Sequence, residues 1–160
     1  MPSWVALPAR LLINPARNHS SLLRLWSLVS FDLIQSLQSA NKVLGADVSH
    51  PGVGSPQASM AAITMSWDQH ACRYAAACET NGVRVELLSE ANIKGMFVNL
   101  FKRWMVKVGG GSGPQHIYYF RDGVSEGQYQ QVLDYEVDYM KKVLIEHISP
   151  AAAKIKWTVT

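Results

Sequence analysis

Two aspartates stand at the ends of apolar segments that have the character of β-strands. Asp47 lies at the carboxyl end of KVLGADV (residues 42–48), and Asp122 follows HIYYF (residues 116–120) after a single arginine. If these strands are parallel neighbours, both side chains emerge at one edge of the sheet, where open α/β sheets bind ligands. Two carboxylates placed together repel each other unless a cation lies between them. Hard oxygen ligands suit Mg²⁺ or Mn²⁺, so the pair is a candidate metal site.

The chemistry that such a site supports is phosphodiester hydrolysis. Two divalent ions about 4 Å apart activate a water and stabilise the leaving oxygen. The alternative is purely structural, because aspartate favours turns and caps. Asp47 could cap the turn at Ser49–His50, and Asp122 could form an Asx-turn with Gly123. Spacing alone leaves both interpretations open, and the structural one is the commoner.

Three further residues are weaker candidates. Glu86, in RVELLSE, could be a third acid, although a solvated glutamate is the ordinary alternative. Glu90 competes with it and is typical of an acid in the first turn of a helix. His50 follows the first aspartate closely, either as a turn residue or as a phosphate contact. The sequence pattern does not rank these roles.

Hydrophobic patterns predict the strands that must position these residues. MAAITMSW (60–67) and CRYAAACET (72–80) predict two strands around a turn at residues 68–70. KIKWTVT (154–160) alternates apolar and polar residues and predicts a last strand. With the strands that end near Asp47 and Asp122, they make five.

Two helices separate the later strands. The first follows Ser89 as its N-cap and ends at the glycines of residues 109–113. The second begins at a capping box formed by Ser125 and Gln128 and stops before Pro150. A third helix is predicted over residues 21–38, within an otherwise irregular, linker-like segment 1–41 that contains three prolines.

The predicted fold class is therefore α/β. From residue 42 the order is β-β-β-α-β-α-β, which favours a mixed five-stranded sheet with flanking helices. Three early strands form an antiparallel meander. Two later strands, each preceded by a helix, add in parallel beside the first strand through right-handed crossovers.

Composition indicates a folded, single-domain chain without a membrane span. The chain has 160 residues, of which 48% are hydrophobic, and a formal charge of +3 that favours a polyanionic partner only weakly. Cys72 and Cys78 have no zinc-binding spacing and predict reduced thiols in an intracellular protein. The most apolar stretch, residues 22–37, is interrupted by Arg24 and Asp32.

Three longer strings go beyond these patterns. GADVSHPGVGS (45–55), MAAITMSWD (60–68) and YYFRDGVSEGQYQQVLDYE (118–136) closely resemble the PIWI domain of eukaryotic Argonaute proteins. The resemblance runs from about residue 42 to the end of the chain. It implies an RNase H-like fold and a role in small-RNA-mediated gene silencing, with a guide RNA and a complementary target RNA as partners and a cytoplasmic or nuclear location.

The resemblance also implies a metal-binding set. In members of the family that cleave RNA, four side chains bind two Mg²⁺ ions. The aspartate of the GAD motif matches Asp47, the aspartate of the RDG motif matches Asp122, and the glutamate on a mobile loop falls on Glu86. Mg²⁺ or Mn²⁺ is thus the expected cofactor, held by Asp47 and Asp122 with Glu86 as a third catalytic acid.

The chain departs from the family pattern at its carboxyl-terminal end. The family continues beyond the strand that KIKWTVT resembles, with a basic stretch and the fourth ligand, a histidine, and none of the five histidines here matches that position. We therefore expect a C-terminally truncated, partial PIWI domain over residues 42–160. Three hypotheses follow: a module that binds guide and target RNA, a Mg²⁺-dependent endoribonuclease when the domain is complete, or a fragment without function.

Overall fold

Six strands form one mixed sheet in the computed structural model, which describes residues 7–8, 41–68 and 70–160. The strands are β1 (Leu7–Pro8), β2 (Asn41–Ser49), β3 (Met60–Ser66), β4 (Arg73–Thr80), β5 (His116–Arg121) and β6 (Lys156–Val159). Their order across the sheet is β1-β4-β3-β2-β5-β6. Strands β2, β3 and β4 pair antiparallel, whereas β5 pairs in parallel with β2 on one side and with β6 on the other.

This topology confirms the predicted meander and the two parallel strands. One difference is β1, a two-residue strand that pairs antiparallel with β4 at the edge of the sheet and was not predicted as part of it. The helix predicted over residues 21–38 lies outside the described residues.

Two composite helices precede the last two strands, one between β4 and β5 and the other between β5 and β6. Helix α1 (residues 90–107) consists of an α-helical turn (Glu90–Asn92), a π-helical segment (Ile93–Val98) and an α-helix (Asn99–Lys107). Helix α2 (residues 126–147) consists of a 3-10 turn (Glu126–Gln128), a short α-helix (Tyr129–Gln131), a π-helical segment (Val132–Val137) and an α-helix (Asp138–His147). A separate 3-10 turn (Pro150–Lys154) precedes β6.

The predicted helix starts are confirmed by their caps. The Ser89 hydroxyl accepts a hydrogen bond from the backbone N–H of Asn92 at 3.2 Å, and Ser125 with Gln128 forms the capping box. These contacts satisfy N–H groups that have no partner within a helix. In the part of the chain that the structure describes, no helix is long and apolar enough to cross a membrane.

The core lies between the helices and one face of the sheet. Alternate residues of β2 and β5 are buried, as expected where one face of a strand packs on helices. The helices contribute fully buried side chains to the same cluster, which include Ile93, Phe97, Phe101, Val132 and Met140. Phe97 also contacts Trp157 of β6 edge to face, with ring centroids 6.4 Å apart, so α1 reaches the last parallel strand.

Lys42 is an exception in this apolar core. The residue is only 1% exposed, its Nζ lies 4.4 Å from the ring centroid of Trp104, and Nζ donates to the carbonyl of Asp68 at 3.3 Å. Burial lowers the pKa of Lys42 to about 8, and the charge of Asp68 offsets only part of this shift. The ammonium group is thus poorly compensated, because a ring face and one carbonyl replace its hydration shell.

We predict that Lys42→Met stabilises the fold at neutral pH. The unfolded chain holds the Lys42 proton up to about pH 10.5 and the folded chain only to about pH 8, so deprotonation of Lys42 makes wild-type stability rise between these values. The contribution is on the order of 1–3 kcal/mol. Urea unfolding should show a higher free energy of unfolding for the variant than for the wild type at pH 7. The difference between the two should decrease as the pH rises to about 10.5. Lys102→Met, at an exposed position of α1, is the control and should leave the pH profile unchanged.

Candidate metal centre

Asp47 and Asp122 come together because β2 and β5 are parallel neighbours. Ala46 pairs with Arg121, so each aspartate follows a paired residue on its own strand. The pairing continues one step further, since the backbone N–H of Asp122 donates to the carbonyl of Ala46 at 3.1 Å. The two aspartates therefore stand side by side at the carboxyl edge of the sheet, as predicted from the sequence.

The Asp122 side chain also fulfils the structural alternative. Its Oδ1 accepts a hydrogen bond from the backbone N–H of Gly123 at 2.8 Å, which is the expected Asx contact. Gly123 has φ +79°, a left-handed conformation that glycine adopts without strain. The turn and the metal interpretations are thus compatible, because a carboxylate that accepts one hydrogen bond still has an oxygen for a cation.

Glu86 reaches the same edge from the loop between β4 and α1. A methyl carbon placed on Gly123 would lie 3.4 Å from Oδ1 of Asp47 and 3.5 Å from Oε1 of Glu86. Both carboxylates therefore border the small space above Gly123, and any side chain at this position would enter that space. The structure thus places Asp47, Asp122 and Glu86 at one edge of the sheet, whereas Glu90 lies in the first turn of α1.

His50 is the direct partner of Glu86. Its Nε2 contacts Oε2 of Glu86, and its Nδ1 lies 2.6 Å from the hydroxyl of Ser59. Ser59 is fully buried and its backbone bonds to Gly82 and Asn81, so its hydroxyl is a fixed anchor rather than a nucleophile open to substrate. The sequence left His50 as a turn residue or a phosphate contact. The geometry indicates that it orients Glu86.

A buried ion pair links the backbone segments that carry Asp122 and Glu86. Arg121 and Glu136 have side chains that are 1% and 0% exposed, and Nε of Arg121 lies 3.1 Å from Oε2 of Glu136. The two terminal nitrogens of Arg121 donate to the backbone carbonyls of Asp122 and Glu86, the latter at 2.5 Å. One guanidinium thus holds the backbone at two of the three acids.

Glu136 has two more donors, which complete its hydrogen bonding. The backbone N–H of Leu88 donates to Oε1 at 2.7 Å, and the hydroxyl of Tyr119 donates to Oε2 at 2.8 Å. Burial, and then the Glu136 carboxylate, raise the pKa of Tyr119 well above its ordinary value, so the phenol keeps its proton and remains a donor. The carboxylate therefore links β5 and α2 to the loop that carries Glu86.

Asn81 organises that loop from its other side. Its amide nitrogen donates to the carbonyls of Val85 and Leu87 at 3.0 and 2.7 Å. Its amide oxygen accepts from the N–H of Ser89 and from the side chain of Asn92. The side chain is almost fully buried, so these bonds determine the path of the backbone through Glu86.

The roles of Arg121, Glu136 and Asn81 were not predicted from the sequence. A signal was present for Glu136, because it falls on the apolar face of α2 between Val132 and Met140, where an acid requires a partner. Arg121 likewise continues the buried alternation of β5. No sequence pattern pairs the two residues, since they meet only when α2 packs on the sheet.

The ligand atoms are of the kind that a hard divalent cation prefers, but they do not form a complete coordination site. Carboxylate oxygens are the ligands that Mg²⁺ and Mn²⁺ prefer, and Asp47, Asp122 and Glu86 offer them at an accessible sheet edge. Across the described residues, however, no three acidic, histidine or cysteine side chains are close enough to form a complete metal site. The side chain of Glu86 is engaged with His50, and that of Asp122 with Gly123.

We predict that Glu136→Gln strongly destabilises the fold. Loss of the carboxylate charge leaves the Arg121 guanidinium buried without a counter-ion, which costs about 3–5 kcal/mol. The free energy of unfolding from urea titration measures the effect. Lys141→Gln breaks the exposed ion pair with Asp138 and is the matched control, with a change below about 1 kcal/mol. Equal stability of the two variants would contradict the role assigned to Glu136.

Comparisons with known proteins agree with this architecture. The sequence profile of the Piwi domain matches residues 20–160, and so begins upstream of the motifs that start near residue 42. The argonaute protein of Schizosaccharomyces pombe is 38% identical over 102 residues, which are 62% of this chain and 12% of that protein.

Solved Argonaute structures share the fold. Kluyveromyces polysporus Argonaute, solved with a guide RNA, is similar with a TM-score of 0.66 and 26% identity, over 81% of this chain and 15% of that chain. The C-terminal lobe of a budding yeast Argonaute has the same TM-score and 27% identity, over 81% of this chain and 26% of that chain. These likenesses confirm the predicted fold class, and the profile match covers most of the chain. The chain therefore belongs to the Piwi domain family.

Proposed function

We propose that this chain is part of an Argonaute-like protein that binds a guide RNA and its complementary target RNA in small-RNA-mediated gene silencing in the cytoplasm. The observation that supports this proposal is the convergence of Asp47, Asp122 and Glu86 at one sheet edge of a Piwi-family chain. One structural neighbour, K. polysporus Argonaute, was solved with a guide RNA. The chain spans 15% of that neighbour, so the role of a whole protein enters here as a proposal.

Carboxylates alone would repel an RNA backbone. If a duplex lies across this sheet edge, its phosphates come close to Asp47 and Asp122, and like charges at close range disfavour contact. A divalent cation removes this repulsion. We therefore assign Mg²⁺ or Mn²⁺ to Asp47 and Asp122, with Glu86 as a third acid. When bound there, the metal would supply a water of lowered pKa and neutralise charge on the phosphate.

The residues around the acids give them a fixed geometry. His50 and the Ser59 hydroxyl orient the carboxylate of Glu86. Arg121 holds the backbone carbonyls of Asp122 and Glu86, and Glu136 keeps its guanidinium in place. Preorganisation of this kind matters because a cation and a phosphate need ligand oxygens at defined positions.

Endoribonuclease activity is the second candidate, and the position of Glu86 favours it. A third carboxylate beside Asp47 exceeds what simple phosphate docking needs, whereas hydrolysis uses several acids around the metal. A fragment without function is the remaining alternative. Separate measurements of RNA binding and of RNA cleavage would distinguish these three alternatives.

We expect Mn²⁺ to bind at the acid pair. Electron paramagnetic resonance of free Mn²⁺ during titration measures the affinity. Asp47→Asn and Asp122→Asn should each weaken it about tenfold or more, because loss of a direct ligand costs at least as much as loss of an outer partner. Glu90→Gln, which removes an exposed acid from the first turn of α1, is the matched control and should bind as the wild type does. Binding that survives both aspartate substitutions would exclude this site.

The same two aspartates should weaken RNA binding when no metal is present and strengthen it when metal is bound. In EDTA, Asp47→Asn/Asp122→Asn should bind a guide–target duplex more tightly than the wild type, because the repelling charges are gone. In Mg²⁺ only the wild type should gain affinity. Fluorescence anisotropy measures both, and affinity should fall about tenfold to hundredfold between 50 and 200 mM salt for roughly three phosphate contacts.

The controls separate the hypotheses. Asp134→Asn, at an exposed position of α2, should leave both affinities unchanged. If no duplex binding is detected at low salt, the result would contradict the RNA-binding proposal and favour the fragment without function. Cleavage of the target by the wild type in Mg²⁺, absent in Asp122→Ala, would establish the endoribonuclease; equal background in the two proteins would exclude that activity for this chain.

A further inference from the structure

A cavity with both polar and apolar lining lies at the opposite end of the parallel strands from the acids. Its volume is about 410 Å³, and it opens at the amino-terminal ends of the parallel strands, beside Asn41 of β2 and His116 of β5. The 3-10 turn Pro150–Lys154 and the start of β6 complete its wall. This volume lies within the range of small-molecule sites.

The charge of this cavity is one-sided. Lys154 and Lys156 line it, with the polar side chains of Asn41, Gln115 and His116. No carboxylate lines it among the described residues. Burial, and then the positive charge of Lys156, lower the pKa of His116, so the imidazole is neutral at pH 7 beside two cations. Uncompensated positive charge in a concave site attracts anions.

The fold holds these groups at defined positions. Lys156 pairs with His116 in the parallel ladder, and its backbone N–H donates to the carbonyl of Gln115 at 3.0 Å. The His116 ring stacks on Tyr118 with centroids 4.2 Å apart, and its Nε2 lies 2.9 Å from the hydroxyl of Thr158. The ring therefore forms a fixed wall, and only the lysine ends remain adjustable.

We propose that this cavity binds a phosphate group. Lys154 and Lys156 supply two point charges, which suits a compact tetrahedral anion. The side chains of Asn41 and Gln115 add uncharged polar groups to the lining. The site lies at the amino-terminal ends of the strands whose carboxyl ends carry the acids, so it does not rest on the proposed RNA function.

The proposal is tested by titrating the protein with phosphate while the NMR signals of the His116 imidazole are monitored. Inorganic phosphate should shift the ring signals in a saturable way and raise the pKa of His116, because a bound anion stabilises the imidazolium. Sodium chloride at equal ionic strength should not. Lys154→Gln and Lys156→Gln should each weaken binding about fivefold. Lys141→Gln, which removes an exposed lysine paired with Asp138, is the matched control.

A second arm distinguishes the source of the phosphate. Uridine 5′-monophosphate that binds more tightly than inorganic phosphate would support a nucleotide-borne group, and equal affinity would support free phosphate as a sufficient ligand. The proposal is overturned if phosphate shifts His116 no more than chloride does. It is equally overturned if both lysine variants bind phosphate as tightly as Lys141→Gln does, because the charges of Lys154 and Lys156 would then contribute nothing to phosphate affinity.

Discussion

The buried ion pair of Arg121 and Glu136 is the contact on which the candidate site depends. It joins the end of β5, the helix α2 and the loop that carries Glu86, three elements that are distant in sequence. A buried charge is costly unless its partners are complete. Here the carboxylate accepts from Arg121, Tyr119 and Leu88, and the guanidinium also donates to two backbone carbonyls. Because a half-formed network would be costly, the acids adopt their arrangement together with the fold.

The sheet imposes a division of charge on its two edges. The carboxyl ends of β2 and β5 carry acids, which need a cation before they can approach RNA, whereas the amino-terminal ends of the parallel strands border a cavity with two lysines. Parallel pairing produces this division, because it places equivalent ends of neighbouring strands together. An antiparallel pairing of β2 and β5 would have separated Asp47 from Asp122 by the length of a strand.

Local pattern accounted for much of the architecture. Period-two alternation predicted the strands, and the serines at 89 and 125 predicted the helix starts, because caps and alternation are properties of neighbouring residues. Features without a local signature were not predicted. The edge strand β1 has only two residues, and its pairing with β4 depends on contacts far along the chain. The burial of Lys42 likewise had no local signature, because its contact with Trp104 forms only when the chain folds.

The sequence by itself determined the family and the order of the elements, and it singled out Asp47, Glu86 and Asp122 as candidate acids, since these features reside in contiguous motifs. Only the tertiary structure decided that Glu86 faces Asp47 across Gly123, that His50 orients it, and that Arg121 and Glu136 stabilise the site. The physical reason is distance along the chain: contacts across 35 or more positions, such as those of Glu86 with His50 and Arg121, arise from packing of the sheet and helices. Periodicity, capping and spacing report only on neighbours.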